Sequence, residues 1–156
     1  MATTLQVWTA VDAVFSATTP AQVGWVDGTN FPWMALLFDQ STDEQAYFHS
    51  VMPQSYGGGT ITASIYWTAT TTGNAIFDLN YLGRVDDEVF DSALNTVASV
   101  TDGVTAANDI MVGTISLTTP GLAAGDYMVF KLNRDANNGS DTLAADAKVL
   151  AIELQE

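Results

Sequence analysis

The stretch YGGGTITASIYWTATTTGNAIFDLNY, residues 56–81, decides the fold. In its first run, Ile61, Ala63, Ile65 and Trp67 fall on one side, while Thr60, Thr62, Ser64 and Tyr66 fall on the other. That period of two belongs to a half-buried strand whose apolar set faces a core. A polar Thr-rich break at 70–73 then suits a turn, and a second run, NAIFDLNYLGRV (74–85), follows it as an antiparallel partner. The preceding Gly57, Gly58 and Gly59 lack the GxGxxG or GxxxxGK[ST] context of a phosphate cradle. Their expected contribution is backbone freedom before the strand.

Working outward, short apolar or alternating runs recur between turn residues, and helical periodicity is weak. The expected strands are WMALLFD (33–39), AYFHSVM (46–52), TITASIYWTA (60–69), NAIFDLNYLGRV (74–85), DIMVGTISLT (109–118), GDYMVFKLNR (125–134) and DAKVLAIELQ (146–155), with an eighth near LNTVASV (94–100). In the last two full runs the inward sets are expected to be Met128, Phe130 and Leu132, and Leu150, Ile152 and Leu154, with Lys148 at the entrance. About eight strands need two packed sheets to bury their apolar faces. The expected fold is all-β, a jelly-roll-like antiparallel sandwich spanning 33–156. Residues 1–32 form an extended N-terminal segment without sustained period, which either wraps its own domain or packs on a neighbour. Trp8, Phe15, Trp25 and Phe31, together with Trp33, are the candidate interface residues. VDDEVFDSAL (85–94) and TDGVTAAND (101–109) read as loops, the first strongly acidic and suited either to solvent or to a basic partner.

Composition narrows the function classes. The chain has 156 residues, enough for one domain with a real core. Charged residues make up only 14%, against roughly 25% in a typical domain, and twenty threonines favour strands. Arg84, Lys131, Arg134 and Lys148 are the only cations against 18 acidic residues, for a formal net charge of −14. Nucleic acid and anionic membrane surfaces are therefore disfavoured partners. The absence of cysteine excludes disulfides, thiolate metal sites and a thiol nucleophile. No run approaches the ~20 apolar residues of a membrane span, and no basic secretory signal precedes residue 22, so a soluble chain is expected.

Few residues carry chemistry. His49 is the sole histidine, with no nucleophile motif around it, so a structural role is expected. In RDANNGSDTLAAD (134–146), Asp135, Asn137, Asp141 and Asp146 resemble the oxygen donors of a calcium loop, but Gly139 stands one place early and the last position carries the shorter Asp. The alternative is an Asx-rich connection, with Arg134 paired to Asp141 or Asp146. Carboxylate pairs Asp43/Glu44 and Asp86/Asp87 have nothing placing them about one cleft. Trp67, Tyr66, Tyr56 and Tyr81 are available for stacking on sugars, although packing is the commoner fate of such side chains. No cofactor is expected.

The blocks FDQSTDEQAYFHSVMPQSYGGG (38–59) and AGDYMVFKLNRDANNGSDTLAADAKVLAIE (124–153) add a further signal. With the strands between them, they resemble small β-sandwich proteins of tailed bacteriophages over most of 33–155. Ala145 stands where that family often has glycine before the aspartate. The resemblance implies a virion structural protein without an active site, most readily a homotrimeric capsid decoration (cement) protein that contacts the major capsid protein. A tail or fibre module binding host-surface glycan is the alternative.

Overall fold

The structure is a computed structural model, and it describes residues 2–95, 97–118 and 120–156. Among these residues ten strands form two antiparallel sheets packed face to face, an all-β jelly-roll-like sandwich. One sheet orders its strands β2 (Gln22–Asp27), β3 (Pro32–Phe38), β10 (Ala147–Gln155), β5 (Ile61–Thr68) and β8 (Met111–Leu117), with β1 (Thr4–Thr9) also paired to β10. The other orders β4 (Glu44–Val51), β9 (Tyr127–Arg134), β6 (Gly73–Arg84) and β7 (Ala98–Val104). The expected runs of 33–39, 46–52, 60–69, 74–85, 109–118, 125–134 and 146–155 all form strands.

The core follows the alternation. Ile61, Ala63, Ile65 and Trp67 are fully buried from one sheet, and Met128, Phe130 and Leu132 from the other. Two aromatic groups fill the interior. Trp67 and Phe77 meet edge to face at 5.3 Å, with Phe38 against Phe77 at 6.4 Å, and Trp8 lies between Phe48 (5.5 Å) and Phe130 (5.3 Å). Tilted and edge-on arrangements of this kind match the ring quadrupoles.

Several expectations require correction. The eighth strand is β7 at 98–104, not 94–100, and Thr96 of the expected run lies outside the described residues. Thr101, Asp102, Gly103 and Val104 are thus strand rather than loop. They pair with Ile76, Ala75, Asn74 and Gly73, and Asp102 Oδ2 accepts the Trp67 indole N–H at 2.8 Å. That acceptor satisfies a fully buried indole, which accounts for an acidic residue in mid-strand. In β10 the inward set before Ile152 is Ala147 and Val149, and Leu150 is only half-buried. The register slips there, because Val149 opposes Trp67 while Ala151 opposes the next residue, Tyr66. Leu150 is the extra residue of a β-bulge, and a bulge reverses the alternation on its two sides.

The first residues also supply order that periodicity did not show. β1 pairs along the second half of β10, and β2 forms a hairpin with β3. Trp8, grouped with the interface candidates, is 2% exposed in the core, so its ring has no free face for a partner.

Two contacts close the sandwich. The Glu156 carboxylate accepts the N–H groups of Gly57 and Gly59, both at 2.7 Å, while Thr3 and Glu156 exchange backbone hydrogen bonds at 2.8 and 3.0 Å. A Cβ on Gly59 would lie 2.8 Å from Glu156 Oε1, and Gly58 has φ +90°, in the region that favours glycine. The glycine run is therefore a cradle for the chain's own carboxylate.

At the opposite corner, fully buried Arg134 places all five N–H groups. They reach both oxygens of Asp141 (2.8 and 3.0 Å) and the carbonyls of Phe38 (3.2 Å), Ala145 (2.8 Å) and Leu143 (2.9 Å). Breaking such a pair from one side strands a buried charge, so Asp141→Ala should cost about 3–5 kcal/mol of unfolding free energy. Urea titration would measure the loss, and a loss well below 1 kcal/mol would contradict a structural role for the pair.

Candidate functional site

The residues singled out from sequence do not converge. Among the stacking candidates, Trp67, Tyr56 and Tyr81 are buried, and the Tyr66 hydroxyl donates to Glu153 at 3.1 Å. Hydrogen bonds, the Thr4 hydroxyl foremost, hold the Glu153 carboxyl below its ordinary range. Asp43/Glu44 and Asp86/Asp87 stand near opposite ends of the four-stranded sheet. Glu44 is in register with Arg134 and Phe77, whereas Arg84, just before the second pair, is in register with Tyr127 and Val51. That separation leaves no common space for a general acid and a second carboxylate.

The 135–146 segment is a buried-arginine loop. Asp141, expected as a calcium donor, has both oxygens on Arg134, and they also accept the N–H groups of Ile76 (3.1 Å) and Leu143 (3.4 Å). Asp135 accepts the Asn138 side chain at 2.9 Å, and the Asn137 N–H donates to Asp43. Among the described residues no group of three or more acidic, His or Cys side chains is arranged to hold a metal ion, and Asp146 joins no such set. His49 lies mid-β4, with its Nδ1 3.2 Å from the Tyr127 hydroxyl and no nucleophile on either ring nitrogen among its described contacts.

A different set does converge. On the outer face of the six-stranded sheet, between the β2–β3 turn and the row that pairs Lys148 with Thr68, lies an open cleft of about 810 Å³. Register builds its floor: Lys148 of β10 opposes Thr68 of β5 on one side and Leu37 of β3 on the other. The Lys148 ammonium stands 5.7 Å from the ring centre of Trp33, within cation–π reach. The displaced parity ahead of the Leu150 bulge brings Leu150 to the same outer face. Phe31, 67% exposed on the β2–β3 turn, forms one wall with Asn30 and Thr29. Asn108 and Ile110 form the other, held by the Asn108 N–H on the Ala69 carbonyl at 2.7 Å.

Exposed Asn30, Thr70 and Asn108, with Lys148, give this cleft its polarity. Thr68 is 8% exposed, and its Oγ1 is closed to solvent with no hydrogen-bond partner among the described residues. The described lining contains apolar and aromatic surface, amides, hydroxyls and one ammonium, but no carboxylate, imidazole or thiol. It can bind and orient a ligand, and its residues carry no acid–base pair with which to transform one. Phe31 and Trp33 of the candidate interface set belong to this cleft, whereas Trp25 (67% exposed) and Phe15 (exposed) are not among its lining residues. Thr68, Thr70 and Asn108 were not recognised in the sequence. They come from separate segments with no fixed spacing from which a shared site could be read.

No protein-family model matches the chain, and no curated protein matches it. Among solved structures, a CBM35 module from Cellvibrio japonicus Abf62 superposes with a TM-score of 0.55 at 13% identity, over 99% of this chain and 92% of that one. A carbohydrate-binding module CBM36, solved in complex with calcium and xylotriose, gives 0.48 at 18% identity over 96% and 99%, and a CBM4 structure gives 0.38 at 15% over 95% and 80%. The first likeness is one of fold, and the other two superpose too loosely to carry an argument.

Two outcomes are expected. Thr68→Val removes an unsatisfied buried hydroxyl while keeping its shape, so the variant should be as stable as the parent or up to about 1 kcal/mol more stable by urea unfolding. A hidden partner of Thr68 would instead make it clearly less stable. Burial holds the His49 imidazole below its ordinary pKa of 6.5, so the folded chain takes up that proton less readily than the unfolded chain. Stability should therefore decline as pH falls through 6.5, and His49→Gln should flatten that part of the urea-midpoint profile.

Proposed function

We propose that this chain is a non-catalytic carbohydrate-binding module whose ligand occupies the cleft over Trp33. The observation that carries the reading is the composition of that cleft. Indole and phenyl surface from Trp33 and Phe31 is joined there by the Thr70 hydroxyl, the Asn108 amide and the Lys148 ammonium. Sugar rings present apolar C–H faces edged by hydroxyls, and a mixture of aromatic walls with a few convergent polar groups suits both surfaces. The sandwich shared with the CBM35 module supports the same reading at the level of fold. Glycan arrays followed by calorimetry test it. A saccharide should bind the parent chain, and Trp33→Ala should weaken binding about tenfold, or about 1.4 kcal/mol, with the unfolding midpoint little changed. Absence of binding across the array, or unchanged affinity in Trp33→Ala, would remove the reading.

A virion component is the second reading, and it accommodates the first if the module sits on a phage tail or fibre. It draws on the blocks at 38–59 and 124–153, and on exposed Val11, Phe15 and Trp25 in the first thirty-two residues, which suit contact with neighbours. Capsid decoration, a homotrimer and contact with the major capsid protein belong to this reading. Solution mass, alone and with capsid protein, together with particle imaging, separates head from tail.

A further inference from the structure

A second depression, of about 500 Å³, lies on the outer face of the four-stranded sheet and takes no part in the glycan reading. Its floor is Tyr47 and His49 of β4, Val129 of β9 and Leu82 of β6, and its roof is the acidic segment after β6. Phe90 leans over the sheet there, edge to face with Tyr127 at 5.5 Å, yet it remains 59% exposed, and Val89 beside it is 73% exposed. Tyr127 is in register with exposed Val51 on one side and with Arg84, next to exposed Val85, on the other. The groove thus continues into an apolar surface along one end of the sheet, of the kind that marks a contact site.

Charge selects the occupant. The same segment carries Asp86, Asp87, Glu88 and Asp91, and among the described residues only Glu88 has a cation beside it, Arg84 at 3.7 Å. Asp91 lines the groove itself. A second copy, with a formal net charge of −14, would bring more negative charge to this rim, and an anionic lipid surface would do the same. A cationic segment is drawn to it and, once there, replaces the water over Phe90.

We propose that this groove docks a segment of another protein that inserts an aliphatic or aromatic side chain between Phe90 and the sheet. Lys or Arg residues flanking that anchor meet Asp86, Asp87 and Asp91. An anchor in an apolar pocket supplies affinity, and the rim charges supply on-rate and selection.

Selection of a random peptide library on the immobilised full chain tests this, with the Phe90→Ser chain as counter-target. Enriched peptides should carry Lys or Arg around a Leu, Ile, Phe or Trp. They should lose roughly tenfold or more in affinity on Phe90→Ser, and bind more weakly to Asp86→Asn/Asp87→Asn and at raised salt. Both variants alter exposed side chains, and an unchanged unfolding midpoint shows that they fold. No enrichment, enriched peptides without basic residues, or equal binding to Phe90→Ser would overturn the proposal. A concentration-dependent dimer mass abolished by Phe90→Ser would overturn it as well, because a second copy would then be the occupant.

Discussion

The closure of this sandwich depends on one fully buried guanidinium. Arg134 ends β9 in the four-stranded sheet, yet it donates to the carbonyl of Phe38 at the end of β3 in the other sheet and to two carbonyls of the segment leading into β10. Taking such a charge out of water costs several kcal/mol unless every donor is met, and the bidentate Asp141 carboxylate with three carbonyls meets all five. Asp141 in turn accepts the Ile76 N–H, which ties β6 to the same point. The four elements must therefore arrive together, and Asp141 of the Asx-rich segment 135–146 is committed to this internal cation.

The same economy of cations shapes the surface. Arg134 is internal, Arg84 stands beside Glu88, Lys148 lies over Trp33, and Lys131 is in register with Tyr47 of β4, so among the described residues most acidic side chains have no cation beside them. The sandwich consequently offers two unlike outer faces. One presents the larger cleft, where the Lys148 ammonium lies over the Trp33 indole, and the other presents an apolar groove under an acidic segment. A β-bulge is central to the first, because the reversal of alternation at Leu150 leaves Ala147, Val149, Ile152 and Leu154 buried while aiming Lys148 and Leu150 outward.

Much of the fold could be read from the chain alone, and the reasons are visible in particular residues. Ile61, Ala63, Ile65 and Trp67 announced their burial because a strand's period is a local property. The same holds for Met128, Phe130 and Leu132. β1 and β2 were not legible, since in TLQVWT and QVGWVD the polar and apolar positions do not alternate cleanly. Their strand state comes from pairing with β10 and β3. Trp8 looked like an arm residue for the same reason, and only the space between Phe48 and Phe130 made it core.

By itself the sequence determined an acidic, cysteine-free, all-β sandwich and the segments that become most of its strands, because alternation, turn residues and charge balance are properties of short windows. It also offered Asp141 or Asp146 as the partner of Arg134, and the structure selects Asp141. Tertiary structure alone decided that Trp8 is core rather than an arm residue, that the glycine run holds Glu156, and that Trp33, Thr68, Asn108 and Lys148 share one cleft. Those four residues belong to distant segments and are joined only by cross-strand register and one bulge, and a long-range pairing leaves no period in the chain from which it could be read.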